Sequence, residues 1–441
     1  MKNTLILYGL LFLYSPLLGQ INNFQPWSIQ ANLSSNQELE KNQDIVEYQD
    51  DWQEIKKDRT LTSALFKNSK GDIRAEYASR PIHYKKNGIL ERINPKLKKS
   101  NTGYVANQQP YPTYLHKDGS FSMSMGNHDL LTIGKNIIHD KIRGEGSFDF
   151  QDNTAYFENY FEGIDKQIVF SENKVKYAYR LNEYIERDGS NFIISESIDI
   201  PSEYQLLAMQ NKSYSKDGII FGSIAVINKD GYQIAEIKPL LCFDYQKNYT
   251  LGGYRIVNES SGLKLESCIP NGWLESEERI YPVIIDPEIS GPAVEWNGGD
   301  MPSCLLPNYN SDSVQVIIPA GVTVSGFFIT ASFYANPFSP AVMSDGVMNF
   351  STSCSASQNF TITGANAELP GTAYLDSFDL KNPLVCCFPE SCSDTSVYVT
   401  MNLARGDNGT GCNTSYVFYD DITDWPFRVV VYGKTPEVYG N

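Results

Sequence analysis

Alternation of apolar and polar residues is the dominant pattern along this chain. Phe121-Ser-Met-Ser-Met125 and Lys174-Val-Lys-Tyr-Ala-Tyr-Arg180 alternate with period two, and Gly218-Ile-Ile-Phe-Gly-Ser-Ile-Ala-Val-Ile227 is a longer apolar run. Period two places alternate side chains on opposite faces of a strand. Between the runs stand Lys117-Asp118-Gly119, Arg187-Asp188-Gly189, Lys216-Asp217-Gly218 and Lys229-Asp230-Gly231. Asp-Gly between alternating segments is a hairpin signal. No helical pattern of ten or more residues interrupts the series, so residues 61–290 are predicted to be a hairpin-rich β domain.

A second set of strands is predicted beyond residue 290. It comprises Ser313–Ile318, Val324–Ser332, Val347–Phe350, Val397–Leu403, Tyr416–Tyr419 and Phe427–Tyr432. Six to eight short strands in this length fit a β-sandwich or jelly roll. The fold class is therefore all-β, with two β domains, 61–290 and 291–441. Ahead of them lie a leader at 1–19 and an acidic stretch at 20–60. In that stretch Ile45, Tyr48, Trp52 and Ile55 recur at helical spacing, which fits either a short amphipathic helix or a flexible leader.

Residues 1–19 have the build of a secretory signal peptide: Lys2, an apolar run from Leu5 to Leu13, and Gly19 before Gln20. The run is too short to cross a bilayer, which takes about 20 residues, and no later stretch is long enough. The reading is an exported chain, secreted or held at a cell surface.

Composition sharpens this picture. The 36 Lys and Arg against 52 Asp and Glu give a net charge of −16. Residues 291–441 hold 4 of the basic and 14 of the acidic residues. Because phosphate binding needs clustered cations, this balance predicts no nucleic-acid partner. All eight cysteines lie in the second half: Cys242, Cys268, Cys304, Cys354, Cys386, Cys387, Cys392 and Cys412. In an exported chain they are expected as disulfides. Cys242 and Cys268 are expected to pair in the first domain; six cysteines allow fifteen pairings in the second.

Chemistry-bearing motifs are sparse. Gly126-Asn127-His128-Asp129 has the look of a phosphoesterase metal motif, but the Asp-x-His and further histidines of such a site are absent, so it is read as a strand closure. The four histidines, His83, His116, His128 and His139, lack ligand spacing and are read as loop residues. There is no Gly-x-Ser-x-Gly and no phosphate loop. Asp420, Asp421 and Asp424 could ligate calcium or form a turn. Arg405-Gly406-Asp407 reads as hairpin chemistry. Trp296 and Trp425 are candidates for stacking on sugar rings. No catalytic residue and no resident cofactor are assigned.

Two segments carry a resemblance. Tyr281-Pro-Val-Ile-Ile-Asp-Pro287 and Tyr160-Phe-Glu-Gly-Ile-Asp-Lys-Gln-Ile-Val-Phe170 resemble a β-rich domain of large bacterial surface proteins of the Rhs-type and wall-associated kind. The signal peptide and composition look like those of Bacteroidota secreted proteins. The resemblance implies a surface scaffold over roughly residues 65–290 and no particular chemistry. The expected function is an exported, non-enzymatic structural or interaction protein, with a surface protein or polysaccharide as partner. The alternatives are a carbohydrate-binding module or a calcium-dependent adhesin at the C-terminal end, and then a secreted hydrolase.

Overall fold

A computed structural model of the chain describes residues 30–34, 51–126, 129–134, 147–171, 174–186, 189–246, 248–260, 262–291, 309–335, 342–357, 359–363, 371–380, 384, 388, 390–405, 417–418 and 427–435. It is all-β: the described residues form antiparallel strands almost throughout, with one four-residue α-helix at Asn271–Leu274.

The first body is one continuous network of paired strands. From Lys98–Lys99 it runs through Gly103–Ala106, Thr113–His116, Phe121–Ser124, Leu130–Ile133, Asn191–Asp199, Gly262–Pro270 and Gly253–Glu259. It continues through Ile219–Ile227, Gln233–Ile237, Glu288–Ser290, Lys174–Leu181, Ile164–Ser171 and Thr154–Phe161 to Phe148–Gln151. Its two ends meet where the Leu97 N–H donates to the Asp152 carbonyl at 2.8 Å. The wrapped sheet encloses a core that includes Phe121, Leu131, Ile168, Phe170, Tyr177, Tyr179, Leu265 and Ile285.

Several strands are buried on both faces, which explains their near-continuous apolar sequence. Tyr177 and Tyr179 face the first core, while Ala178 between them joins a second one. Ile285 and Ile284 divide in the same way. The second core lies under another sheet, ordered Gln53–Glu54, Ser63–Lys67, Ile73–Ala78, Arg428–Lys434, Thr323–Ala335, Gly371–Asp379, Gln30–Ser34, Phe360–Thr363, Gly346–Ser351, Thr395–Arg405, Asn310–Ile318. That sheet folds back on itself: the Tyr77 hydroxyl donates to the Ile317 carbonyl at 2.5 Å. Strands from residues 30–34 and 53–78 thus share a sheet with strands from 310–434.

Two expectations are corrected. Trp52 and Ile55 are not helical. Gln53–Glu54 pairs with Phe66 and Lys67, the Ile55 N–H donates to Leu65 at 2.8 Å, and the Trp52 ring packs edge-on against Tyr432 at 6.0 Å. Tertiary pairing overrides the helical spacing; Ile45 and Tyr48 lie outside the described residues. Cys242 and Cys268 do not pair and are free, buried thiols. Cys242 belongs to the first core, whereas Cys268 alternates with the core residue Ile269 and so faces the other side of the sheet. Burial pushes both thiols up, Cys268 to about 11. Cys392 is a free, exposed thiol and Cys354 is disulfide-bonded. Cys304, Cys386, Cys387 and Cys412 lie outside the described residues.

Inside the first core sits a fully buried ammonium. Lys166 Nζ donates to Glu196 Oε1 at 2.9 Å and to the Gly119 carbonyl at 3.2 Å. The rings of Tyr160, Tyr179, Tyr177 and Phe121 surround it, with centroids 4.8–5.9 Å from the nitrogen. Burial alone would lower the ammonium, but the Glu196 charge outweighs it and holds Lys166 above its usual value. Both Gly119 and Gly134 adopt positive φ beside this cluster. A Cβ on Gly119 would lie 2.5 Å from the Tyr160 ring.

A second buried network closes the Tyr281–Pro287 segment. Asp286 Oδ2 meets Lys176 Nζ at 2.9 Å, while Glu288 lies 3.5 Å from Lys174. Asp286 ends the Val283–Asp286 strand, as its position before Pro287 requires. Burial raises its carboxyl to about 6, against the opposing pull of Lys176.

These networks yield two expectations. Glu196→Gln strands the Lys166 ammonium, and breaking a buried pair costs about 3–5 kcal/mol. Its urea midpoint should fall sharply, and the Lys166→Met/Glu196→Leu double variant should recover most of the loss; an unchanged Glu196→Gln midpoint would refute this. For Asp286 the folded-state pKa exceeds the unfolded one, so ionisation opposes folding. Its penalty should grow between about pH 4 and 6 and level off above that range at about 3 kcal/mol. Asp286→Asn should lack that decline in urea melts across pH; parallel profiles for the two proteins would contradict it.

Candidate functional site

The outward face of the first sheet carries a cleft of about 530 Å³ lined by His116, Asp118, Ser122, Asp129, Thr132 and Asp199 together with apolar Leu130, Ile200 and Pro201. Strand alternation builds it. Leu115, Phe121, Met123, Leu131, Ile133 and Ile198 face the core. Their neighbours therefore face outward, and Tyr114, Ser122, Thr132 and Asp199 form a register row across four strands.

The Lys117-Asp118-Gly119 turn sets His116. The Gly119 N–H donates to the His116 carbonyl at 3.0 Å, and Asp118 Oδ1 accepts from the Ser120 N–H at 3.0 Å and from its hydroxyl at 2.6 Å. His116 Nε2 then lies 2.8 Å from Ser122 Oγ, which lies 2.8 Å from Thr132 Oγ1. An imidazole and two hydroxyls in a chain can relay a proton, because each hydroxyl both donates and accepts. At the mouth the Tyr204 hydroxyl donates to Asp129 Oδ2 at 2.5 Å. That bond to a carboxylate raises the phenol to about 12.

The other described histidine has a structural place. His83 is fully buried, with Nδ1 2.7 Å from the Thr60 carbonyl and Nε2 3.2 Å from Glu54. Burial lowers its pKa. His116 is therefore the one imidazole among the described residues that reaches a cleft. The sequence pattern alone makes it a loop residue. The signal that marks it is His116 at the end of an alternating strand, followed by a tight turn and Ser120, Ser122 and Ser124 at period two.

Gly126 and Asp129 close a hairpin: Asp129 N–H donates to Gly126 and Met125 N–H to Asp129, both at 2.9 Å. Asn127, His128 and His139 lie outside the described residues, as do Asp420, Asp421, Asp424, Trp296, Trp425, Gly406 and Asp407. Among the described residues no group of three or more His, Cys, Asp or Glu is placed to hold a metal ion, and no helix is long and apolar enough to cross a membrane.

No protein-family model matches the chain. Over 257 residues it is 25% identical to a tRNA3(Ser)-specific nuclease WapA of Bacillus spizizenii, a match covering 54% of this chain and 10% of that protein. It is 24% identical over 255 residues to a tRNA(Glu)-specific nuclease WapA of Bacillus subtilis subsp. natto, again over 54% and 10%. A tRNA nuclease WapA of Bacillus subtilis strain 168 matches at 24% over 257 residues. The chain thus spans about a tenth of the length of these relatives. Among solved structures, a β-fructofuranosidase of Schwanniomyces occidentalis aligns at a TM-score of 0.11 and 4% identity, covering 85% of this chain and 78% of its own.

These relatives overturn the expectation of a non-enzymatic structural protein with no nucleic-acid partner: proteins matching about half of this chain are named as tRNA nucleases. The non-enzymatic expectation rested on the lack of local catalytic motifs, and the exclusion of nucleic acid on net charge, which sums over the whole chain. Phosphate is met by local charge.

Proposed function

We propose that this chain acts on RNA and that the His116 cleft is where the phosphodiester is cut. The match to proteins named as tRNA nucleases carries the reading. The cleft supports it by offering a positioned imidazole beside two hydroxyls. His116 takes the proton of a ribose 2′-hydroxyl, whose oxygen attacks the adjacent phosphorus. The bond to the 5′-oxygen breaks, that oxygen receives the proton, and a 2′,3′-cyclic phosphate remains. General acid–base catalysis of this kind contributes about 10²–10⁴-fold.

Asp118, Asp129 and Asp199 repel phosphate at the cleft, so substrate must be held by cations at its rim. Lys117 is exposed in the adjoining turn. Lys98 shares the outward face of the cleft through the register Lys98, Val105, Tyr114, Ser122. Three strand spacings of about 4.8 Å put it roughly 14 Å from Ser122.

Incubation of the full chain with total tRNA should give fragments ending in 2′,3′-cyclic phosphate. His116→Gln should slow this by about 10²–10⁴-fold at an unchanged melting temperature. Intact tRNA after incubation with wild type from pH 5 to 8, with and without magnesium, would overturn the reading. A His116→Gln chain as active as wild type would move the site elsewhere.

We also propose export, supported by the Lys2, Leu5–Leu13, Gly19 pattern. Mass spectrometry of protein recovered outside the producing cell should show residues 1–19 or 1–20 removed; retention of Met1 would refute it.

A further inference from the structure

Positive charge is concentrated in one segment of this acidic chain. Residues 56–100 contain 13 Lys and Arg against 4 Asp and Glu, within a molecule of net charge −16. At the end of that segment Lys96, Lys98 and Lys99 are all exposed. Lys96 makes a surface contact with Asp152 at 2.9 Å, and Lys98 donates to Gln108 at 2.7 Å. Lys99 has no ion-pair partner among the described residues.

Beside these lysines lies a set of aromatic rings facing solvent. Phe148 and Phe150 stand two apart on the Phe148–Gln151 strand, so they share a face, and each is 36% exposed. Their rings are 6.2 Å apart and inclined by only 17°. Tyr104 packs beneath, 4.4 Å from Phe150 and 5.4 Å from Phe148. Lys99 stands directly opposite Tyr104 on the paired strand. The Leu97–Asp152 backbone bond ties the lysine segment to the turn that follows the phenylalanines. Among the described residues this strand is paired on one side only.

A soluble sheet edge does not gain by displaying near-parallel rings to water; such edges are usually blunted with charge. Half-exposed rings bordered by Lys96 and by Lys99, of which Lys99 has no ion-pair partner among the described residues, match a different task. Bases stack on aromatic faces while phosphates run along the adjacent lysines, which is how single strands are held. A duplex hides its base faces and cannot use the rings. By the strand registers Lys99 and Tyr104 share the face of Leu115, whereas Lys98 lies on the opposite face with the cleft, so the platform and the His116 site occupy two faces of the same sheet.

We propose that Phe148, Phe150, Tyr104, Lys96 and Lys99 form a platform for unpaired RNA. This deepens, and rests on, the reading of the chain as acting on RNA, and it defines the substrate as a single-stranded stretch such as a loop or a 3′ end.

The test uses the full chain carrying His116→Gln, so that RNA survives, and a fluorescent twelve-nucleotide single strand read by anisotropy. Binding should weaken as salt rises. Adding Lys96→Gln/Lys99→Gln should reduce the slope of log K against log salt by about 1.4, at roughly 0.7 per phosphate contact. Adding Phe148→Ala or Phe150→Ala should weaken binding roughly 5- to 150-fold per ring at nearly constant slope. The lysines are exposed, so their variants should keep the melting temperature; Phe148 also packs 4.8 Å from the core ring of Phe157, so the phenylalanine variants are compared well below their own melting temperatures, with circular dichroism verifying the fold. Equal affinity for duplex RNA or for heparin would overturn the platform, as would unchanged binding in the phenylalanine variants. If the platform binds as described but wild type leaves tRNA intact, the cleavage reading fails and the platform stands. If wild type cleaves while the His116→Gln chain binds no single strand, the platform fails and the cleavage reading stands.

Discussion

The ion pair of Lys166 and Glu196 at the centre of the first core constrains more of this molecule than any other contact. Neither charge reaches water, so each must be met by protein. The Lys166 ammonium is shared between Glu196 and the Gly119 carbonyl. That second bond reaches the turn following His116. The strand that sends Glu196 inward presents Asp199 to the cleft three residues later. The buried pair therefore fixes two walls of the outward site from behind. The same charge lifts Tyr177 and Tyr179, after burial itself, far above the ordinary phenol range and keeps them neutral around the ammonium.

Strand positions were largely legible because burial on a sheet imposes period two. Phe121–Ser124 and Lys174–Leu181 fall where alternation places them, and Ile219–Ile227 falls where the continuous apolar run does. Gly371–Asp379 and Phe360–Thr363 were missed, since Leu375 and Phe378 break alternation and Phe360–Thr363 is only four residues. The helical spacing around Trp52 misled because those residues answer to partners far away in sequence. Cys242 and Cys268 misled for a related reason: proximity in sequence says nothing about which face of a sheet a thiol occupies. The cleft was hidden because its members come from strands spread over residues 116–199, and no local motif records a register row.

Charge has the same character. Averaged over the chain it speaks against an anionic ligand, while its distribution places a cationic segment next to rings and an acidic one beyond residue 290. A molecule divided in this way repels polyanions over most of its surface, and the proposed platform lies at the border where that repulsion is weakest.

The position of Gln30–Ser34 bears on how the molecule comes into being. This strand lies between Gly371–Asp379 and Phe360–Thr363, in the interior of its sheet rather than at an edge. A ribosome adds roughly 5–20 residues per second. The strand therefore waits roughly 15–70 s for the first of its partners to be made. Throughout that interval the strand has neither of its neighbours, and closing a loop of over three hundred residues is entropically slow. The chain is thus obliged to leave this sheet unfinished until residues 360–379 have been made.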